Sequence, residues 1–377
     1  MHKYLHIVCL DAPSPPTYGG AIDIFFKIKA FAALGIKINL HYFSYNPERG
    51  IAELESYCHV IYAYKRKSFW QSLLTPLPYT VASRINTELI NKLNEDDHPV
   101  LLEGFHCSGL LPRLTSHSRQ IVIRAHNDES GYYESLALVE KRLWRKLYYR
   151  RESRLLASYQ LLLDKNARVA VLSKPDADTL SEHYGFRNVH PIPLFVPWDR
   201  VEALEGYGTY CLYHGNMAVA ENEAATAWLI KNVFSVITVP LVIAGRGIST
   251  RLLNLVSAYP HISVVHDPSQ KDLSALITHA HVHVLPSFNK TGVKLKLLNA
   301  LFNGRFCITN NAGAAGIGDN AGILVLEEGA AIQKSIKELM EQPFTQEDKR
   351  KRDPLLSSYN NRANAIGLSA LLWKHCL

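Results

Sequence analysis

Two lysines just behind a strand-like run are the side chains best placed for chemistry. In VHVLPSFNKTGVKLKLLNALFNGRFCITNNAGAAGIG, residues 282–318, an apolar run (Val282, Val284, Leu285) ends at Pro286-Ser287 and a loop with Thr291-Gly292 follows. Val293, Leu295, Leu297, Leu298, Leu301 and Phe302 then recur at mostly helical spacing. Lys294 and Lys296 fall in the first turn and a half of that helix, where the macrodipole favours acids rather than cations. An anionic ligand at the helix N-terminus accounts for the exception. A second candidate, His126, lies immediately beyond the apolar run Ile121–Ala125 and is followed by Asn127. A third is the glycine pair Gly19-Gly20, which closes the loop DAPSPPTYGG and lets backbone come close to a ligand.

Strands and helices must hold these residues. Gly304 suits the left-handed position that ends a helix, and Phe306-Cys307-Ile308 reads as the next strand, so residues 282–308 form a βαβ unit. Such units build parallel sheets, whose ligands bind beyond the carboxyl ends of the strands, and this puts Ser287 to Gly292 at a ligand site. The N-terminal half alternates helical patterns with apolar runs at Leu5–Leu10, Ile36–Phe43, Val60–Ala63, Val100–Glu103, Ile121–Ala125 and Val169–Leu172. The first helix is expected to start near Ala21. The loop before it lacks the Gly-x-Gly-x-x-Gly and Gly-Lys-Ser/Thr spacings, which excludes NAD and ATP chemistry there. Glu103 and His106, at another strand end, read as structural residues.

A proline-rich linker, Pro191 to Pro197, separates a second α/β domain. Its strands are expected at Thr209–Tyr213, ending in His214-Gly215-Asn216, at Pro240–Ala244, ending in Gly245-Arg246-Gly247, and at Ile262–His266. The last segment, NRANAIGLSALLWKHCL, is a helix too apolar to be left in water.

With 377 residues, 47% of them hydrophobic and 20% charged, the chain has material for two globular cores and is not a disordered sequence. Its start, MHKYLHIVCLDAPS, reads as a first strand rather than a signal peptide. Six scattered cysteines without a Cys-x-x-Cys pair fit free thiols in a reducing cytoplasm. The net charge of +7 calls for an anionic partner. Much of it is local: seven basic residues and one acid lie between Lys141 and Arg154. On a helical projection Leu136, Leu143, Trp144, Leu147, Tyr148 and Leu155 share one side, and Lys141, Arg142, Arg145, Lys146 and Arg150 the other. Residues 136–155 therefore either meet an anionic membrane surface or bury their apolar side in the domain. Nucleic-acid binding is disfavoured, because the charge gathers on one helix rather than along a groove with stacking aromatics.

His279, His281 and His283 alternate, and His-x-His on a strand is a metal-ligand spacing that would suit a metal-dependent hydrolase. No later His or Asp cluster completes such a site. A glycoside hydrolase would need a carboxylate pair that does not stand out here.

The ordered series Tyr-His-Gly-Asn (213–216), Glu221-Asn222, Ala-Gly-Arg-Gly (244–247), Leu-Pro-Ser (285–287) and Gly-Val-Lys-Leu-Lys (292–296) resembles the retaining GT-B glycosyltransferases of family 4. The resemblance implies two Rossmann-like α/β domains facing across a cleft, residues 1–200 with a C-terminal helix at about 358–377 crossing back to them, and residues 205–357. It implies a UDP- or GDP-sugar donor held near Gly215, Asn216, Gly245, Arg246, Gly247, Ser287, Thr291, Gly292 and Asn299, with Gly19-Gly20 closing over the diphosphate. Lys294 and Lys296 would stabilise the diphosphate charge and His126 would line the reacting cleft, with no metal and no cofactor beyond the donor. The acceptor would be a glycan or lipid-linked, and the enzyme cytoplasmic or peripheral at the inner membrane face, serving polysaccharide assembly. Thr291 and Asn299 stand where the family carries two glutamates, so both carboxylates are missing. The same architecture serves nucleotide-sugar 2-epimerases and non-catalytic sugar-nucleotide binders.

Overall fold

The computed structural model describes residues 3–16, 18–45, 52–72, 75–116, 118–140, 142–289, 291–317 and 322–373. They divide into two compact α/β units, one of Met1–Glu134, Leu147–Pro197 and Tyr359–Leu377, the other of Ser135–Lys146 and Trp198–Ser358. No helix among the described residues is long and apolar enough to cross a membrane.

The first unit is built on seven parallel strands: β1 (Tyr4–Cys9), β2 (Lys37–Ser44), β3 (Val60–Lys65), β4 (Val100–Glu103), β5 (Ile121–Arg124), β6 (Arg168–Val171) and β7 (Asn188–Pro191). Their order is β3-β2-β1-β4-β5-β6-β7, with Ile7 opposite Leu40 and Val8 opposite Leu102, so the order reverses between β1 and β4. Both faces of a parallel sheet are covered, which is why the strands read as unbroken apolar runs. One face packs on helix α1 (Gly19–Ala33) through Ile24, Phe25, Ile28 and Phe31. The C-terminal helix Asn361–Leu372 joins the same core with Ala365, Leu368 and Leu372, as expected of a helix that returns to the first sheet. Asn361 clamps its start: Val196 N donates to Asn361 Oδ1 at 3.0 Å and Asn361 Nδ2 donates to Val196 O at 2.7 Å. Helix α1 begins two residues earlier than the sequence suggests, so Gly19-Gly20 form its first turn rather than a loop.

The stretch after β5 forms two helices, α2 (Glu129–Val139) and α3 (Leu143–Leu162). Lys141 lies outside the described residues. The expected inward apolar side is not what α3 buries. Leu143, Trp144 and Leu147 are exposed, and the helix turns Glu152, Ser153, Leu156, Tyr159 and Gln160 inward. Glu152 fixes that orientation by accepting from Thr80 N at 2.9 Å and Thr80 Oγ1 at 3.1 Å.

The second unit has six parallel strands: β8 (Cys211–Asn216), β9 (Leu241–Arg246), β10 (Ile262–His266), β11 (Val282–Val284), β12 (Phe306–Thr309) and β13 (Ile323–Val325). The order is β10-β9-β8-β11-β12-β13, reversing between β8 and β11. Strands β8 and β9 run further than the apolar runs suggest, because His214-Gly215-Asn216 and Gly245-Arg246 stay in register, Gly215 opposite Gly245. Two helices carry site residues, α5 (Ala220–Leu229) after β8 and α6 (Leu295–Asn303) after β11, with α4 (Lys174–Tyr184) lying before them in the first unit.

Three expectations around β11 are corrected. Lys294 is the residue before α6, in extended backbone, and only Lys296 lies in the first turn. Gly304 ends α6 with φ −106° rather than in the left-handed region; a Cβ there would sit 2.0 Å from His283 Nε2, so the glycine makes room for a buried imidazole. The alternating histidines do not share a strand, since His279 ends the helix Gln270–His279 and β11 starts at Val282. His281 is spent on backbone, taking the Gly208 N–H at 2.9 Å on Nδ1 and donating from Nε2 to Leu339 O at 2.8 Å. The metal-hydrolase reading fails with that geometry.

Candidate active site

In the second unit the functional candidates gather where the strand order reverses, the place at which open α/β sheets bind ligands. Lys296, reaching out from the first turn of α6, donates to Tyr213 Oη at 2.9 Å and to Asn222 Oδ1 at 2.9 Å. Asn222, on α5, completes the tie by donating from Nδ2 to Asn216 O at 2.9 Å. One ammonium is thereby fixed by residues of β8 and α5 while two of its three N–H groups are engaged. Beneath it His214 is buried, and that burial, with the Lys296 charge second, pushes its pKa down to about 3. The imidazole is neutral and leaves Lys296 as the local cation.

Beside this lies a second polar knot. Buried Ser287, just past β11, donates from Oγ to Glu221 Oε1 at 2.5 Å and from its backbone N to Asn310 Oδ1 at 2.9 Å. Lys294 stitches its own loop, its amine donating to Thr291 O at 2.6 Å and Gly292 O at 3.0 Å. Thr291 likewise donates from N and Oγ1 to Asn289 Oδ1, both at 2.8 Å, and Asn299 accepts from Asn303 one turn along α6 at 2.8 Å. Gly292 is left-handed, at φ +67°. At the ends of β8 and β9, a Cβ on Gly245 would fall 1.8 Å from Gly215 O, so this close approach of strands tolerates only glycine. Gly247 follows at φ +68°, and Arg246 between them is exposed.

The first unit holds a different cluster at its own reversal point. Lys27, on α1, is wholly buried and lies 2.8 Å from Asp23 Oδ2 and 2.7 Å from Glu103 Oε1. His126, just past β5, donates from Nε2 to Glu103 Oε2 at 2.8 Å and has Nδ1 3.8 Å from Asp23 Oδ2. Arg124 closes the other side, 3.4 Å from Asp23 Oδ1, with further bonds to Val171 O at 3.2 Å and Pro193 O at 3.0 Å. Burial opposes the Asp23 charge, but Lys27, Arg124 and His126 outweigh it and hold the carboxyl well below the usual range. Glu103 is lowered too, burial being overcome mainly by Lys27 and His126. Asp23, Glu103 and His126 offer ligand atoms within 4.8 Å of one another, the one such group among the described residues. The Lys27 ammonium stands between the two carboxylates as a compensating cation. Gly19-Gly20 lie about two turns before Lys27 on the same helix.

Removing that cation strands two buried carboxylates. Lys27→Met is expected to destabilise the first unit by about 3 kcal/mol or more, the cost of breaking a buried pair on one side. Urea unfolding would show it as a lowered midpoint. An unchanged midpoint would mean that Arg124 and His126 suffice to compensate Asp23 and Glu103.

Comparison with known proteins bears on the second unit first. Residues 208–342 match the model of the glycosyl transferases group 1. The matched stretch lies within the second unit. The chain is also 29% identical over 336 residues to an uncharacterized 44.6 kDa protein in the cps region of Klebsiella pneumoniae, covering 84% of this chain and 85% of that one. Among solved structures it resembles a sucrose-phosphate synthase from Thermosynechococcus elongatus (TM-score 0.75, 14% identity, 98% of each chain). A TarM mutant from S. aureus, solved with Fondaparinux, alpha-GlcNAc-glycerol and UDP, gives a TM-score of 0.66 at 11% identity over 99% of this chain and all of that one. An α,α-trehalose-phosphate synthase from Burkholderia xenovorans, in complex with glucose-6-phosphate, gives 0.61 at 10% identity over 98% and 99%. These likenesses establish the architecture: two Rossmann-like halves of the GT-B kind.

In the second unit, sequence reasoning singled out Lys296, Ser287 and the strand-end glycines but gave Tyr213 and Asn222 no role, although both lie in the motifs it quoted. It overlooked Asp23 and Lys27 altogether. Their signal was available in AIDIFFKIKAF, where an acid and a base four residues apart interrupt an otherwise apolar helix face.

Proposed function

We propose that this chain transfers a glycosyl group from a UDP- or GDP-sugar to a glycan or lipid-linked acceptor with retention at the anomeric carbon. The product belongs to capsular or other cell-surface polysaccharide, a role that the cps-region relative supports. The observation carrying the proposal is Lys296, fixed by Tyr213 and Asn222 at the reversal point of the second unit with an N–H left for a ligand. In the step, the bond between the anomeric carbon and the diphosphate oxygen breaks and its electron pair leaves with the diphosphate. The acceptor hydroxyl attacks the same face and gives its proton to that diphosphate. Lys296 and the N–H groups opening α6 neutralise the charge that develops, so the step requires no metal. Gly215, Gly245 and Gly247 let backbone approach the nucleotide, and the Ser287–Glu221 pair supplies polar contacts in place of the glutamates replaced by Thr291 and Asn299. We assign the acceptor to the first unit, with His126 as the group that orients it, and place the enzyme in the cytoplasm at the inner membrane face.

A thermal-shift panel of UDP, GDP, ADP and CMP with their sugar conjugates tests the donor assignment. One nucleoside diphosphate at about a hundred times its Kd should raise the Tm by about 5 °C or more. No shift at millimolar ligand would sink the proposal. With the donor chosen, a transferase releases nucleoside diphosphate in step with acceptor, whereas an epimerase converts the sugar without one.

A further inference from the structure

The N-terminal part of helix α3 leaves large apolar side chains in solvent. Its inward side carries Glu152, Ser153 and Gln160 beside Leu156 and Tyr159, while Leu143 is 71%, Trp144 65% and Leu147 56% exposed. A second segment extends the apolar face. Trp70, shortly after β3, is 78% exposed, and its neighbour Phe69 sets its ring edge against Tyr148 of α3 at 6.1 Å and against Tyr79 at 5.4 Å. The Phe69–Tyr148 contact brings two separate stretches of the first unit together, one carrying Trp70 and the other Leu147.

Within these two stretches the charge has a single sign. Lys65, Lys67, Arg150 and Arg151 are exposed, and neither residues 65–72 nor residues 142–151 contain an acid. Glu152, the next acid, points inward to Thr80. Aromatic rings that settle at headgroup depth, leucines that enter the acyl boundary and flanking lysines and arginines are the combination that holds a protein on an anionic bilayer. An acidic protein partner would supply the countercharge but not the apolar layer that Trp70 and Leu147 require.

We infer that the face formed by Lys65–Trp70 and residues 147–151 of α3 docks on an anionic phospholipid surface, with Trp70 and Leu147 inserted and the lysines and arginines at the headgroups. The inference deepens the proposed function by favouring an acceptor presented at a membrane. Its test needs neither donor nor acceptor, so the two can fail separately.

The full chain should sediment with phosphatidylcholine vesicles containing phosphatidylglycerol and not with phosphatidylcholine alone, and its tryptophan emission should shift to the blue on binding. Raising salt from 0.1 M to 1 M, which shortens the Debye length from about 10 Å to about 3 Å, should release it. Lys65→Ala with Lys67→Ala should weaken partitioning on the order of thirtyfold, each basic side chain near an anionic surface contributing about fivefold. Trp70→Ser with Leu147→Ser should abolish it while leaving the Tm unchanged, because both side chains lie in solvent. Equal sedimentation with both vesicle types, or wild-type binding by the Trp70/Leu147 variant, would overturn the inference. So would a dimer in light scattering that the same variant dissolves, since the face would then join two copies of the chain.

Discussion

Lys296→Ala is expected to weaken binding of the nucleotide donor by about ten- to a hundredfold without unfolding the second unit. A hydrogen bond from a charged donor contributes about 1.5–3 kcal/mol, and each 1.4 kcal/mol is tenfold in affinity. The lysine is held in place before any ligand arrives by Tyr213 Oη and Asn222 Oδ1, both at 2.9 Å, so little ordering is left to oppose binding. Lys294→Ala should do less. Its amine is committed to the carbonyls of Thr291 and Gly292, and its loss loosens the loop rather than removing a phosphate contact. Titration calorimetry with the nucleoside diphosphate selected by the ligand panel separates the two. Unchanged affinity in Lys296→Ala alongside a large loss in Lys294→Ala would reverse the assignment.

The contrast between these lysines shows where reading the sequence stops. Apolar periodicity located the helix after β11 and put both lysines near its start, but the φ of −85° and ψ of 95° that place Lys294 before α6 depend on how the Gly292 loop folds. Strands were legible because a sheet covered on both faces needs continuous apolar runs, and Val100–Glu103 and Ile262–His266 coincide with the observed β4 and β10. Alternation misled at His279, His281 and His283, since period two signifies one face only where the backbone is extended, and His279 is helical. The spacing at Gly304 suggested a left-handed cap; the true demand is space for the His283 ring, 21 residues back in sequence and on another element. Lys27 and Glu103 are 76 residues apart, and a pair at that separation has no local period to betray it.

Acidification from pH 7 to pH 5 is expected to unfold the second unit before the first. Burial is the leading cause that lowers the pKa of His214 and His283 in the second unit and of His41 and His106 in the first. Nearby positive groups add to it: Lys296 beside His214, Arg352 beside His283, Arg84 beside His106. A histidine whose folded pKa is depressed contributes stability above its unfolded value of about 6.5, and that stability is lost as the pH falls, because only the unfolded chain then takes the proton. At pH 5 His214, with its folded pKa of about 3, costs about 2 kcal/mol by this linkage. His283, held well below its ordinary value by burial, adds a loss of the same sign, against the 5–15 kcal/mol typical of a domain. In the first unit Glu129 works the other way. Burial pushes its carboxyl up to about 8, so the folded state gains a proton there before the unfolded one does, and this returns about 2 kcal/mol over the same interval. Calorimetry at pH 7, 6 and 5 should resolve a transition that moves steeply downward and one that moves little. His283→Gln should make the dependence shallower, since the substituted side chain no longer titrates. A Tm that stays level between pH 7 and 5 would show that these imidazoles are protonated as readily in the folded protein as in water.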